Sequence, residues 1–170
     1  MSTRLHEGFV PGCIGRITEL HATTYAGLAG FGRGFEALVA RELAAFAEDF
    51  EPGRDGLWLL LDAADRVQGA VAIAGPHASG RPGTPEAAAH LRWFITADAV
   101  RGQGLGRALL ARALAFCDAR GHAEVALWTF VGLDAARHLY EAQGFRLVEQ
   151  AEGRRWGGPV TEQRFVRRRP

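Results

Sequence analysis

One short segment limits the folds open to this chain, because it joins an extended segment to an amphipathic helix through closely spaced glycines. The segment is RGQGLG, residues 101–106, and it follows the strand-like HLRWFIT of residues 90–96. A helix that starts on glycines directs unpaired N–H groups and its positive dipole end at one point, and no Cβ blocks a phosphate there. The segment favours an α/β fold with an anion site, although an ordinary tight helix start has the same spacing.

The glycine spacing is not that of a dinucleotide fold. Arg107 stands where the dinucleotide fingerprint needs its third small residue, and no strand with a terminal acidic residue follows about 20 residues later. Binding of NAD is therefore disfavoured.

Hydrophobic periodicity predicts strands and helices on both sides of this turn. Residues 14–20 alternate apolar and polar side chains as a half-buried strand does, and residues 35–46 carry one apolar helical face. The order is roughly β, α, α, β, β, β, α, β, α, β, β, a mixed α/β layer of sheet covered by helices on both faces. The later segments are strands 57–62 and 67–74 as a hairpin, a loop 75–87, strand 90–96, helix 108–119, strand 124–130, helix 134–143, and strands 145–150 and 161–167.

Composition excludes several chemistries. All 20 basic residues are arginine, so a lysine-dependent phosphate loop and Schiff-base catalysis are ruled out. Cys13 and Cys117 lack metal-ligand spacing, so we expect no metal site. The 170 residues suit one domain, 1–170, and the GC-rich bias in residue usage indicates a bacterial source.

Charge and hydropathy bear on partners and location. A net charge of +1 argues against nucleic-acid binding, and no apolar stretch approaches the ~20 residues that span a bilayer. We expect a cytoplasmic protein that associates with neither nucleic acid nor membrane.

Two ordered motifs carry a family resemblance. The run LRWFITADAVRGQGLGRALL (91–110) resembles the acetyl-CoA-binding segment of the GNAT N-acetyltransferases, whose pattern Arg/Gln-x-x-Gly-x-Gly/Ala is filled by Arg101, Gly104 and Gly106. The run ARHLYEAQGFRLVE (136–149) is similar to the second signature of that family, through Leu-Tyr-Glu at 139–141 and Gly-Phe at 144–145. The resemblance implies a GNAT-type mixed, mostly antiparallel sheet with splayed central strands.

Longer stretches refine this resemblance. Residues 30–46, 127–149 and 156–165 are similar to the acetyltransferase half of bacterial proteins that fuse it to a MarR-type DNA-binding domain. The chain has no room for that DNA-binding half, so a transcription-factor role does not carry over.

The resemblance implies acetyl-CoA as cosubstrate and assigns residues to it. In the family, the fourth and fifth strands splay and the pantetheine arm pairs with the fourth. The expected contacts are the backbone of Phe94, Ile95 and Thr96 for the arm, and Arg101, Gly102, Gln103, Gly104, Leu105, Gly106 and Arg107 for the pyrophosphate. Leu133 stands where the family often has an asparagine that contacts the arm.

The resemblance also implies catalytic residues. Tyr140 occupies the position of the acid that protonates the leaving thiolate. In the alternative interpretation its ring only packs the helix against the sheet. Family members often have a glutamate at the start of the fourth strand, where this chain has His90. A histidine of pKa about 6.5 can accept the proton of the amine, directly or through water, although solvent can do so as well. Alternation places Arg92 on the same face as His90, where it can contact an acidic group of the substrate or lower the pKa of the histidine.

The amine that accepts the acetyl group is expected to bind between the first helical region and the hairpin of the last two strands, 145–150 and 161–167. Candidates for substrate binding are Tyr25, Phe31, Phe35 and Trp156, with His21 a further possibility, and each is an ordinary core residue in the alternative interpretation. The leading hypothesis is N-acetylation of a primary amine of a small molecule by direct attack in a ternary complex. The resemblance also allows a homodimer. The alternatives are a protein amine acetyltransferase, an acyl-CoA sensor without turnover and a nucleotide-binding module.

Overall fold

The chain forms one seven-stranded sheet with helices on both faces, as seen in a computed structural model that describes residues 2–76 and 88–170. The sheet order is β1-β2-β3-β4-β5-β7-β6, and all neighbours are antiparallel except β4 and β5. The elements are β1 (Arg4–Glu7), α1 (Cys13–Ala29), α2 (Arg33–Glu48), β2 (Gly56–Leu61), β3 (Val67–Ala74), β4 (Ala89–Thr96), α3 (Leu105–Ala119), β5 (Glu124–Phe130), α4 (Asp134–Ala142), β6 (Arg146–Gly153) and β7 (Val160–Arg168).

Two hydrophobic layers enclose the sheet. In β2, Leu57, Leu59 and Leu61 pack with α1 and α2, whereas Trp58 and Leu60 pack with α3. Every residue of this strand is buried, because helices cover both faces. The continuous apolar run GLWLLL is the sequence signature of that position.

One predicted strand is wrong: residues 14–20 belong to helix α1. Over seven residues the apolar pattern fits both the strand period of 2 and the helix period of 3.6. Over the whole of α1, the buried residues recur at helical spacing: Cys13, Ile17, Leu20 and His21. The first strand is instead Arg4–Glu7, an exposed edge strand with little apolar signal. The predicted order of elements holds because this strand takes the place of the misassigned one.

The remaining predicted elements are confirmed within a few residues at their ends. The 57–62 and 67–74 pair is the antiparallel hairpin β2–β3. Helix α3 begins at Leu105, three residues before the predicted start, directly after the glycine turn. Of the predicted loop 75–87, residues 77–87 lie outside the described residues.

Candidate active site

Strands β4 and β5 part soon after they meet. They are parallel and pair only at Ala89 with Val125 and at His90 with Ala126. Next to this point β4 carries an irregularity in its register with β3, and Trp93 has a positive φ of 49°. A bulge of this kind bends a strand away from its neighbour. From Leu91 onward, the edge of β4 that faces β5 therefore has no strand partner among residues 2–76 and 88–170.

A cleft of about 110 Å³ opens where these strands part. Both tyrosines of the chain, Tyr25 and Tyr140, line it. The other lining residues come from α1, α2, β4, β5, α4 and the β6–β7 turn: His21, Phe35, Leu38, Val39, Glu42, His90, Leu91, Arg92, Trp93, Phe94, Leu127, Trp128, Thr129, Phe130, Leu133 and Trp156. Aromatic rings and polar groups thus share the walls, and the polar groups can orient a bound small molecule.

The glycine turn lies beside the cleft. Gly102 and Gly104 have φ values of 74° and 75°, which glycine adopts without strain. A Cβ added at Gly106 would lie 3.5 Å from Phe94 and from Thr96, so the turn abuts the end of β4. The first helical hydrogen bond of α3 runs from the N–H of Ala108 to the carbonyl of Gly104. The preceding N–H groups of α3 are outside the helical ladder and suit a phosphate.

Side chains of the turn are partly committed within the protein. The Arg101 guanidinium pairs with Asp98 at 2.5 Å and donates to the carbonyl of Thr96 at 3.2 Å. Gln103 donates to the carbonyl of Ala99 at 3.0 Å. Arg107 is exposed and forms no ion pair within the described part of the chain. A pyrophosphate would therefore meet backbone N–H groups first, and Arg101 would have to leave the exposed Asp98 to reach it.

Tyr140 is held rigidly while its hydroxyl stays accessible. Its ring packs against Phe94, Phe145 and Phe165 at centroid distances of 5.8, 5.9 and 6.4 Å. The hydroxyl forms no hydrogen bond with the described residues. It is also not fully enclosed by protein atoms. Burial raises the pKa of Tyr140 well above 10, and Tyr25 adds to the effect. The phenol therefore stays protonated at neutral pH and has a proton to donate to a leaving group.

His90 and Arg92 both line the cleft from β4, and so do Leu91, Trp93 and Phe94, so this lining does not follow strand alternation. His90 is 8% exposed and is the last residue of β4 that pairs with β5. The Arg92 guanidinium lies 4.0 Å from the centre of the Trp93 ring and forms an ion pair with Glu42 of α2.

Glu42 was missed in the sequence. A signal for it exists, because Glu42 falls three residues after Val39 and next to Leu43, within the apolar stripe of α2. A carboxylate inside such a stripe needs a partner or a function.

The predicted acceptor residues gather at one end of the cleft. Tyr25, Phe35 and Trp156 line it, whereas Phe31 is not part of its lining and packs behind it, 5.0 Å from the ring of Phe35. Phe130 completes the aromatic wall, with its ring 5.7 Å from Tyr25 and 5.3 Å from Trp156. Phe130 was predicted only as a strand residue, since its neighbours come from α1 and the β6–β7 turn.

Metal-ligand groups and membrane-spanning helices can be assessed for residues 2–76 and 88–170. These residues contain no group of three or more histidine, cysteine, aspartate or glutamate residues placed to hold a metal ion. No helix among them is long and apolar enough to cross a bilayer.

Comparison with known proteins agrees with this geometry. A model of the acetyltransferase (GNAT) family matches residues 17–145. No curated protein sequence matches the chain significantly.

Solved structures resemble the whole chain. An acetyltransferase of the GNAT family from Staphylococcus aureus Mu50 superimposes with a TM-score of 0.74 at 14% identity, covering 98% of this chain and 99% of that one. The Salmonella typhimurium protein yncA, determined with its cofactor acetyl-CoA, gives 0.70 at 16% identity, covering 99% and 94%. A mutant of the spermidine N-acetyltransferase SpeG from Vibrio cholerae gives 0.65 at 18% identity, covering 99% and 95%. At these identities the likeness shows a shared fold.

Proposed function

Because this chain belongs to the acetyltransferase (GNAT) family, we propose that it transfers the acetyl group of acetyl-CoA to a primary amine of a small molecule, by direct attack in a ternary complex. The observation that carries this proposal is the parting of β4 and β5, which opens the cleft beside the glycine turn and next to the Tyr140 hydroxyl. We further propose that residues 1–170 form one such domain, of the kind found in bacterial MarR fusions, and that it acts in the cytoplasm.

The glycine turn and β4 are suited to the two parts of CoA. The N–H groups of Leu105, Gly106 and Arg107 would hold the pyrophosphate, since an anion at a helix N-terminus is favoured by both hydrogen bonds and the dipole. The backbone edge of β4 at Phe94–Thr96 would hold the pantetheine arm as an added strand. The arm would then lead the thioester toward Tyr140.

The chemistry needs one proton donor and one proton acceptor. The lone pair of the neutral amine attacks the thioester carbonyl carbon, the C–N bond forms and the C–S bond breaks. Tyr140 gives its proton to the departing thiolate, and the amine nitrogen loses one proton to His90, directly or through water. The proton taken by His90 returns through solvent to Tyr140, so the products are the amide and the free thiol of CoA.

The acceptor end of the cleft favours an amine on a flat apolar group. Its walls are Tyr25, Phe35, Phe130 and Trp156, and the whole cleft of about 110 Å³ suits a small molecule better than a large one. The ion pair between Arg92 and Glu42 offers both charges at one side, which would accept a second polar group of the substrate.

One observation favours a second candidate, an acyl-CoA sensor. Leu133, at the position of the arm-contacting asparagine of the family, does line the cleft, and its side chain offers no hydrogen bond. A sensor would bind acetyl-CoA without transferring its acetyl group.

A panel of amines separates these functions. The purified chain is mixed with acetyl-CoA and with benzylamine, phenylethylamine, tryptophan, spermidine or a peptide with a free α-amine, and thiol release and product mass are followed. We expect acetylation of an aromatic amine and a raised melting temperature with CoA. Stabilisation by CoA without turnover of any amine would favour the sensor, and preferred acetylation of the peptide would favour a protein substrate.

A further inference from the structure

His21 is a buried polar side chain that the proposed chemistry has not used. It lies on α1, one turn before Tyr25, with the two rings 6.0 Å apart. Only 6% of the residue is exposed, and that part lines the cleft at its aromatic end.

Its hydrogen bond fixes which ring nitrogen carries the proton. Nδ1 lies 2.8 Å from the carbonyl oxygen of Ile17, one turn earlier in the same helix. Because a carbonyl only accepts, Nδ1 is the N–H donor, and the neutral ring presents the lone pair of Nε2 on its opposite side. Burial lowers the pKa of His21 to about 4, so the ring is neutral at pH 7.

Nε2 has room for a ligand. Nε2 forms no hydrogen bond within the described part of the chain. The atom is also not fully enclosed by protein. It is therefore an acceptor that is not sealed inside the protein, on a residue that lines the cleft beside the ring of Tyr25. An acceptor in such surroundings binds an N–H donor more strongly than the same group does in water.

We propose that His21 contacts the substrate: Nε2 accepts a hydrogen bond from an N–H of the neutral acceptor amine and so orients the nitrogen lone pair toward the thioester. This inference rests on the proposed acetyltransferase function and adds a substrate-binding residue to it. The neutral ring brings no negative charge to offset the burial of an ammonium ion, whereas it can accept a hydrogen bond from the neutral amine that the attack requires.

A matched pair of substitutions separates this role from a structural one. In His21→Asn the amide nitrogen can replace Nδ1 and keep the bond to Ile17, but nothing replaces Nε2. In His21→Gln the amide can reach the position of Nε2 with its oxygen, while the bond to the helix is lost. A substrate contact and a purely structural histidine therefore predict opposite orders of activity.

The test is the steady-state kinetics of both variants with the best amine of the panel. We expect kcat/KM for the amine to fall about tenfold in His21→Asn and to remain within about threefold in His21→Gln, with KM for acetyl-CoA unchanged in both. The reverse order, with activity following melting temperature, would overturn the contact.

A second readout does not depend on turnover. In the CoA complex of the wild-type chain, we expect benzylamine to shift the ¹⁵N resonance of His21 Nε2 while Nδ1 stays protonated. An unshifted resonance for benzylamine and every other amine of the panel, at millimolar concentration, overturns the inference even if the enzyme is active. A shifted resonance in a chain that acetylates no amine would instead retain the His21 contact and reject the proposed function.

Discussion

Tyr25 and Tyr140 line one cleft although the helices that carry them cover opposite faces of the sheet. Tyr25 on α1 packs with the layer that contains Phe31 and Phe35, and Tyr140 on α4 belongs to the layer under α3. A continuous sheet would separate them. They meet because β4 and β5 pair at only two positions before they part. In the proposed reaction, this opening through the sheet would let an acceptor on one face reach a thioester on the other.

Tyr140→Phe tests the proton donor. Since the raised pKa of Tyr140 keeps its hydroxyl protonated, we expect the wild-type rate to show no alkaline decline from this group below about pH 10. Removal of the hydroxyl should lower kcat about 100-fold or more, with little change in KM for acetyl-CoA. Tyr25→Phe is the matched control and should act mainly on KM for the amine. Equal loss of kcat in both variants would contradict the assignment of Tyr140.

His90→Gln tests the proton acceptor. If His90 takes the amine proton, its removal should lower kcat by about 100-fold and remove the acidic limb from the pH profile of kcat, measured at saturating amine so that ionisation of the free substrate does not enter. Stopped-flow or steady-state rates between pH 5.5 and pH 9 measure both effects. A profile of unchanged shape would show that solvent accepts the proton.

Gly104→Ala tests the glycine turn. Alanine at a φ of 75° is strained by about 1–2 kcal/mol, so the turn would shift to relieve it. We expect CoA to bind about tenfold more weakly by calorimetry. Gly121→Ala is the control, because Gly121 has the same φ of 75° at the far end of α3. Gly121→Ala should lose as much stability as Gly104→Ala but bind CoA with the affinity of the wild type. If both variants bind CoA equally weakly, the glycine turn at 104 does not hold the phosphates.

His21 also predicts a pH dependence of stability. Its folded pKa of about 4 lies below the ordinary 6.5, so between these values the unfolded chain binds the proton and the folded chain does not. The free energy of unfolding should therefore be highest above pH 6.5 and fall by about 3 kcal/mol as the pH drops to 4. Denaturant titrations of the wild type and of His21→Asn measure this. Between pH 6.5 and pH 4, the free energy of unfolding should fall by about 3 kcal/mol less in His21→Asn than in the wild type. If it falls equally in both proteins, His21 is not a neutral, buried ring.

The strands and helices that form the core were predictable because their apolar periods are long and regular. The region 91–145 gave both family motifs and the positions of the glycine turn and Tyr140. Residues 14–20 were misassigned because seven residues cannot distinguish a period of 2 from one of 3.6 when glycine and threonine intervene.

Contacts across elements were the part that the sequence did not contain. Glu42 meets Arg92 only after α2 packs over β4, and Phe130 joins the aromatic wall only after α1 and the β6–β7 turn approach it. The bond from Nδ1 of His21 to the carbonyl of Ile17 lies within α1, but the ring lines the cleft only because α1 packs against β4. Such relations follow from tertiary packing, and no local pattern encodes them.

A crystal structure with bound CoA is the measurement that tests this account most directly. We expect the pyrophosphate on the N–H groups of Leu105, Gly106 and Arg107, and the pantetheine arm along the open edge of β4. The sulfur should lie within hydrogen-bond reach of the Tyr140 hydroxyl. CoA bound away from the space between β4 and β5, or with its sulfur remote from Tyr140, would contradict the proposed acetyl transfer in this cleft.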